Sequence, residues 1–161
     1  MSQDILNLLK KSFPDAVVDT HNLRGDETAL IRRENLLEVM RWLKDECRFE
    51  MLMDLTAVDY LGEELRFEIV YHLKSIFRRY RLRIKVRVPE EDASVDSLTS
   101  LWKGANWYER ECHEFYGIKF KGHPDLRPLL LYPEFKGYPL RKDYPHNKRQ
   151  PRIPLLKPET R

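Results

Sequence analysis

Eight of the ten prolines in this 161-residue chain lie beyond residue 116, and their spacing leaves no room there for a long helix or a central strand. Proline lacks a backbone N–H and fixes φ, so it interrupts helices and is excluded from the middle of a sheet. The regular secondary structure is therefore predicted to lie within residues 1–116. The prolines that define the second part stand at positions 124, 128, 133, 139, 145, 151, 154 and 158.

Charge divides the chain at the same place. Residues 1–116 hold 18 Lys and Arg against 22 Asp and Glu, and residues 117–161 hold 11 against 4, so the net formal charges are −4 and +7. Apolar side chains grouped on an extended segment indicate an interface, either with a partner or with the chain's own sheet. We predict an α+β domain over residues 1–116 and a basic, proline-rich tail over residues 117–161. The apolar tail side chains are Leu126, Leu129, Leu130, Leu131, Tyr132, Phe135, Tyr138 and Leu140.

Hydrophobic periodicity predicts the elements of the first part. A helix is expected through residues 5–9, a second at 34–47, a third from Asp92 or Ser94 to Trp102, and a fourth at 107–116. Strands are expected at 16–21, 27–32, 49–60, 65–73 and 80–88. This order predicts an α+β fold in which helices pack on one mixed five-stranded sheet, followed by the extended tail.

Several kinds of chemistry lack their sequence motif. Cys47 and Cys112 form no CxxC or CxxH pattern, which argues against a zinc or iron–sulfur site built by this chain. No glycine spacing matches a phosphate-binding loop, and no nucleophile elbow is present. No apolar run approaches the roughly 20 residues that span a bilayer, and the chain does not start with a secretion signal. We expect a cytoplasmic protein with no catalytic or metal site of its own.

Three carboxylates near the end of the first part are the main candidates for chemistry. On a helix, Glu111 and Glu114 share a face, whereas Glu109 and Glu111 point apart. A pair for acid–base work or metal binding is one interpretation. We favour a structural interpretation, in which these carboxylates form ion pairs with cations of the tail. The candidate cations are Lys119, Lys121, Arg127, Arg141 and Lys142.

Two further features have alternative interpretations. His123 precedes Pro124, and such a tight turn either orients the ring near a cofactor or lets it bond to the backbone, which we favour. The basic segment 78–87 predicts either an RNA-binding α+β module or a solvated or partner-facing strand. The strand 65–73 offers Glu68 and no aromatic pair for stacking, so we favour the second interpretation.

The densest pattern lies within residues 101–145. It comprises WYERE at 107–111, FYGI at 115–118, Phe120, GHPDLR at 122–127, Gly137 and PLRKDYP at 139–145. With this spacing the segment resembles the 30 kDa subunit family of respiratory complex I, which in bacteria is the C subunit of NADH–quinone oxidoreductase. The signature or interface residues that the resemblance singles out are Glu109, Arg110, Glu111, Glu114, Gly117, His123, Pro124, Asp125, Arg127, Arg141, Lys142 and Asp143.

The resemblance implies a cofactor-free subunit in the peripheral arm of a proton-pumping oxidoreductase. FMN, the iron–sulfur clusters, NADH and quinone would then be bound by other subunits. The quinone-site subunit, designated D, would be the direct partner, with the iron–sulfur subunits B and I nearby and the tail packed on partner subunits. The implied location is peripheral, on the cytoplasmic side of the bacterial inner membrane, with membrane association through the complex and without nucleic acid.

Overall fold

A computed structural model of the protein describes residues 3–152. A short 3-10 turn, Arg33–Asn35, precedes the second helix. In chain order the described elements are α1 (Gln3–Ser12), β1 (Val17–Leu23), β2 (Asp26–Ile31), α2 (Leu36–Asp45), β3 (Met51–Asp59), β4 (Phe67–Ser75), β5 (Tyr80–Val88), β6 (Ser94–Asp96), α3 (Ala105–Tyr116) and β7 (Lys119–Lys121).

Strands β1 to β5 form one mixed sheet in the order β1-β2-β5-β4-β3. β2 and β5 run parallel, and every other neighbouring pair is antiparallel. Alternate side chains of β4 and β5 point inward and pack with the apolar faces of the helices in one core. The structure confirms the predicted α+β fold with a mixed five-stranded sheet. The fully buried side chains include Leu9, Leu36, Met40, Leu43, Phe67, Ile69, Tyr71, Leu73, Ile84 and Val86.

The predicted helix from Asp92 or Ser94 to Trp102 is wrong. Strand β6 lies in its place and pairs in parallel with β7, a strand that the sequence did not reveal. The amide of Ser97 donates to the carbonyl of Lys121 at 2.8 Å, and that of Lys119 donates to the carbonyl of Ala93 at 2.8 Å. This pairing satisfies the backbone of both segments and overrides the helical spacing of the apolar residues.

From Gly122 to Arg152 the described chain contains only turns, bends and irregular segments. This part is attached to residues 1–116 through bonds to α3, to the end of β3 and to Arg66, which precedes β4. Within residues 3–152 no helix is both long enough and apolar enough to cross a membrane.

Candidate functional site

Glu109 in α3 is fully buried and binds the loop that follows β6. Its carboxylate accepts the Leu98 amide at 2.6 Å and the Ser97 hydroxyl at 2.7 Å. Burial raises the pKa of Glu109 to about 7, although these two hydrogen bonds act in the opposite direction. The side chain therefore joins α3 to the loop at residues 97–98.

His123 lies beside this carboxyl group without bonding to it. Its Nδ1 accepts the Asp125 amide at 2.9 Å, so its Nε2 carries the proton and donates to the carbonyl of Asn106 at 3.2 Å. Burial lowers the pKa of His123, which favours the neutral ring, and its Nε2 is 4.0 Å from the Glu109 carboxylate. These bonds agree with the interpretation of His123 as a turn histidine bound to the backbone.

Glu114 binds the backbone of the tail. Its carboxylate accepts the amides of three successive residues, Leu129 at 2.8 Å, Leu130 at 2.9 Å and Leu131 at 3.1 Å. The segment lies between two prolines and has no ladder partner, so the buried carboxylate satisfies amides that a sheet would otherwise bind.

Arg110 binds the same tail segment through its carbonyl groups. Its Nε donates to the carbonyl of Arg127 at 2.9 Å, and its Nη2 donates to that of Pro128 at 3.0 Å. Arg110 and Glu114 are four residues apart on α3 and therefore share a face. One face of α3 thus binds the tail carbonyls through Arg110 and the tail amides through Glu114.

The predicted ion pairs between the acidic cluster and the tail cations are wrong for Glu109 and Glu114. Both carboxylates accept hydrogen bonds from backbone amides, and Glu109 also accepts one from a hydroxyl. Glu111 is exposed and makes no ion pair within residues 3–152. The tail cation Arg127 pairs instead with Asp125 at 2.7 Å, close to Pro124 in the same exposed turn.

A second contact fixes the tail further along. Arg66, at the entrance to β4, is buried and binds Asp59 at the end of β3 in a bidentate pair of 2.8 and 2.9 Å. Arg66 also pairs with Glu90 at 2.8 Å and with Asp143 of the tail at 2.9 Å. The Asp59 carboxylate accepts the Lys142 amide at 2.8 Å. We call the group of Asp59, Arg66, Glu90 and Asp143 the Arg66 cluster.

The pKa values of the Arg66 cluster shift in the direction that favours its charges. The hydrogen bond from Arg66 lowers the pKa of Asp59 most, and the same bond raises the pKa of Arg66. Arg66 likewise lowers the pKa of Asp143. The sequence pattern missed Asp59, Arg66 and Glu90. A charged residue at the end of each apolar strand was the available signal, because buried charges are rare unless they are paired.

Arg141 of the tail packs against Gly117 at the end of α3. The Arg141 side chain donates to the carbonyl of Tyr116 at 2.6 Å and lies 4.5 Å from the Tyr138 ring centroid. Gly117 ends α3 with φ at +78°, where its amide donates to the carbonyl of His113. A Cβ atom at this position would lie 2.7 Å from atoms of the Tyr138 and Arg141 side chains.

Replacing Gly117 by Ala is expected to lower the free energy of unfolding by about 2–3 kcal/mol, since it combines left-handed backbone strain with a clash. Gly122→Ala is the matched control, because Gly122 has φ at +80° and no atom lies within 4 Å of the place that a Cβ atom would take. The control is expected to lose only about 1 kcal/mol. Urea unfolding measures both, and equal losses would show that the close approach of the tail to Gly117 has no energetic weight.

The remaining polar groups indicate no further chemistry within the described part of the chain. No group of three or more His, Cys, Asp or Glu side chains among residues 3–152 is arranged to hold a metal ion. Both thiols are buried, and burial raises the pKa of Cys47 to about 11 and also raises that of Cys112. High pKa values suit structural rather than nucleophilic cysteines.

Fold and site together define a class of protein: an α+β domain with a proline-rich extension anchored on its last helix. The sequence model of the family described as respiratory-chain NADH dehydrogenase, 30 Kd subunit, matches residues 29–150. The chain belongs to this family.

The sequences of known relatives match this chain over most of their length. The chain is 47% identical over 137 residues to the NADH-quinone oxidoreductase C subunit of Citrifermentans bemidjiense, covering 85% of each chain. It is 47% identical over 143 residues to the protein of the same name from Roseiflexus sp., covering 88% of this chain and 82% of the relative.

Solved structures show the same fold. A trypsin-resistant fragment of Nqo5, residues 1–134, superposes with a TM-score of 0.69 at 31% identity and covers 77% of this chain and 98% of the fragment. A chain of the membrane-bound sulfane sulfur reductase, an archaeal respiratory membrane complex, gives a TM-score of 0.77 at 26% identity. That match covers 90% of this chain and 86% of the other.

Proposed function

We propose that this chain is a cofactor-free, non-catalytic subunit of an NADH–quinone oxidoreductase of the complex I type. It supports assembly of the region in which other subunits bind FMN, iron–sulfur clusters, NADH and quinone. The proposal rests on the contacts that the signature residues make. Glu114, Arg110 and Asp143 all hold the tail on the body, and none belongs to a described cluster of metal-binding or nucleophilic groups.

The tail, residues 117–161, is proposed to pack on partner subunits, with β7 joining its start to the body over residues 1–116. The quinone-site subunit is the proposed direct partner, with the iron–sulfur subunits B and I nearby. Apolar tail side chains support this proposal, since Leu130 is 63% and Leu140 51% exposed. Through its partners the chain would be peripheral on the cytoplasmic side of the bacterial inner membrane.

Nothing supports the alternative of an RNA-binding module. On β5, Arg83 pairs with Asp26 at 3.1 Å, and Lys85 pairs with Glu68 at 2.7 Å. Arg87 pairs with Glu63 at 2.6 Å. These carboxylates neutralise three of the six cations in the segment 78–87 that would have to bind phosphates.

Isolation from membranes tests the proposal directly. Detergent-solubilised membranes are expected to yield the native protein together with quinone-reductase activity and with the quinone-site subunit. A native protein found only as a free monomer, separate from that activity, would rule the proposal out. Normal assembly of Glu114→Ala, with slowed electron transfer as its only defect, would contradict the non-catalytic role.

Limited trypsin digestion is expected to distinguish the free chain from the assembled one. Lys136, Lys142 and Lys148 are exposed in the tail, so the isolated chain should be cut there while the body survives. The trypsin-resistant Nqo5 fragment supports a body that resists cleavage. In the complex, partner contacts should protect these sites. Mass spectrometry of the fragments measures both, and identical tail cleavage in the two states would contradict tail docking.

A further inference from the structure

The hairpin between β4 and β5 carries an exposed apolar tip. Ile76 is 61% exposed and Phe77 is 72% exposed. The turn is nonetheless fixed to the body, because the Ile76 amide donates to the Glu50 carboxylate at 2.9 Å and the Arg78 amide donates to the Ser75 hydroxyl at 3.2 Å. Ser75 itself is fully buried. An exposed aromatic ring on a fixed turn, with only two side-chain torsions to restrict, loses little conformational freedom on binding, which is typical of an interface anchor.

Strained backbone surrounds this tip. Arg48 has φ at +59° and Arg79 has φ at +56°, a region that costs about 1–2 kcal/mol for a residue with a Cβ atom. The Arg48 guanidinium lies 4.9 Å from the centroid of the Phe77 ring. Backbone strain at two arginines and an exposed aromatic ring both lower the stability of the fold, so their presence together indicates a function.

Positive charge is concentrated at the tip. Lys74 and Arg81 lie directly opposite each other in the β4–β5 ladder, where like charges are destabilising. The cations at this end make no ion pair with any residue of the described range, in contrast to Arg83, Lys85 and Arg87 further along β5. We call this set the hairpin surface: Arg48, Lys74, Ile76, Phe77, Arg78, Arg79 and Arg81.

A groove of about 500 Å³ runs between the end of α2 and Phe77. Arg48 and Phe77 line it together with two carboxylates, Asp45 and Glu50. An anionic lipid surface would meet these carboxylates as well as the cations, and two apolar side chains offer it little to bury. A peptide can place its own acidic groups at the cations and keep them away from the carboxylates.

We propose that the hairpin surface binds an acidic segment of a partner protein, with an apolar side chain of that segment packed on Phe77. The carboxylates of the segment meet the arginines that flank the ring. This surface uses none of the residues of the α3–tail contacts, so it does not depend on tail docking.

Photo-cross-linking in the assembled complex tests the inference. A photoreactive amino acid replaces Ile76, so that Phe77 stays in place, and mass spectrometry identifies the attached peptide. We expect a partner peptide of net negative charge. The matched control is the same substitution at Leu61, which is 50% exposed in the β3–β4 turn and should not capture that peptide. Cross-links to lipid, to this chain alone, to a peptide without net negative charge, or to nothing would overturn the proposal.

Two variants test the contribution of charge and of the ring. Arg78→Glu combined with Arg79→Glu is expected to reduce the cross-link about tenfold, because reversing two charges exchanges attraction for repulsion. Phe77→Ala, which keeps every charge, should also reduce it about tenfold through the lost aromatic contact. An unchanged yield in either variant would overturn the proposal, and the Phe77 variant decides the matter where the charge-reversed chain does not accumulate.

Discussion

Arg66→Met is expected to lower the free energy of unfolding by about 3–5 kcal/mol, one of the largest effects of any single substitution in this chain. The Asp59 side chain is 2% exposed, and it would keep its charge without the bidentate partner. Removing one member of a buried ion pair leaves an uncompensated charge in a poorly solvated site. Urea unfolding of the isolated chain measures the loss.

The exposed pair of Arg127 and Asp125 provides the control. The Arg127 side chain is 80% exposed, so Arg127→Met should change the free energy of unfolding far less than Arg66→Met does. Removing both buried partners, as Asp59→Leu with Arg66→Met, should recover much of the loss, since no unpaired charge then remains at that position. A double variant as unstable as Arg66→Met would show that the loss arises from packing rather than from the buried charge.

Arg66→Met should also release part of the tail. Asp143 loses its cation in Arg66→Met, and Lys142 then depends on the Asp59 carboxylate alone. In the free chain, trypsin should therefore cut after Lys142 sooner in the variant than in the wild-type protein under native conditions. Unchanged cleavage there, despite lower stability, would mean that Arg66 does not anchor the tail.

Alternation along the sheet was predictable because it depends only on neighbouring positions. In β5 the side chains of Leu82, Ile84 and Val86 are buried and those between them are not, as the period of two requires. The proline spacing similarly predicted that the described tail has no long element. Local rules were sufficient for both features.

The contacts that fix the tail were not predictable in the same way. Arg66 and Asp143 are 77 positions apart in sequence, so no local pattern relates them. Glu114 was expected to have a charged partner because tail cations are numerous, but its partners are backbone amides. Every residue except proline carries such an amide, so composition cannot distinguish them. Strand β6 was missed for a related reason, since its partner strand, β7, begins beyond α3.

Glu109→Gln is expected to stabilise the protein at alkaline pH and to leave its stability nearly unchanged at pH 4. The pKa of Glu109 is about 7 in the folded state and near 4.5 in the unfolded chain, so folding favours the protonated carboxyl. Its contribution to stability is fully present below pH 4.5 and is lost as pH rises to about 7. Above that pH the wild-type protein carries a penalty of about 3 kcal/mol that the neutral amide avoids.

The amide preserves the local geometry, because glutamine accepts the Leu98 amide with its oxygen and donates to the Ser97 hydroxyl with its nitrogen. The measurement is urea unfolding at intervals from pH 4 to pH 8.5, with the variant compared with wild type at each pH. Burial lowers the pKa of His123 from its usual 6.5, so the ring is mostly neutral in the upper part of this range, where Glu109 loses its proton. Glu111→Gln, at an exposed position of the same helix, is the control for the loss of one formal charge and should change the free energy of unfolding little. Parallel profiles for Glu109→Gln and wild type would show that the buried carboxyl ionises as easily as an exposed one, and that the bonds from Ser97 and Leu98 fully compensate its burial.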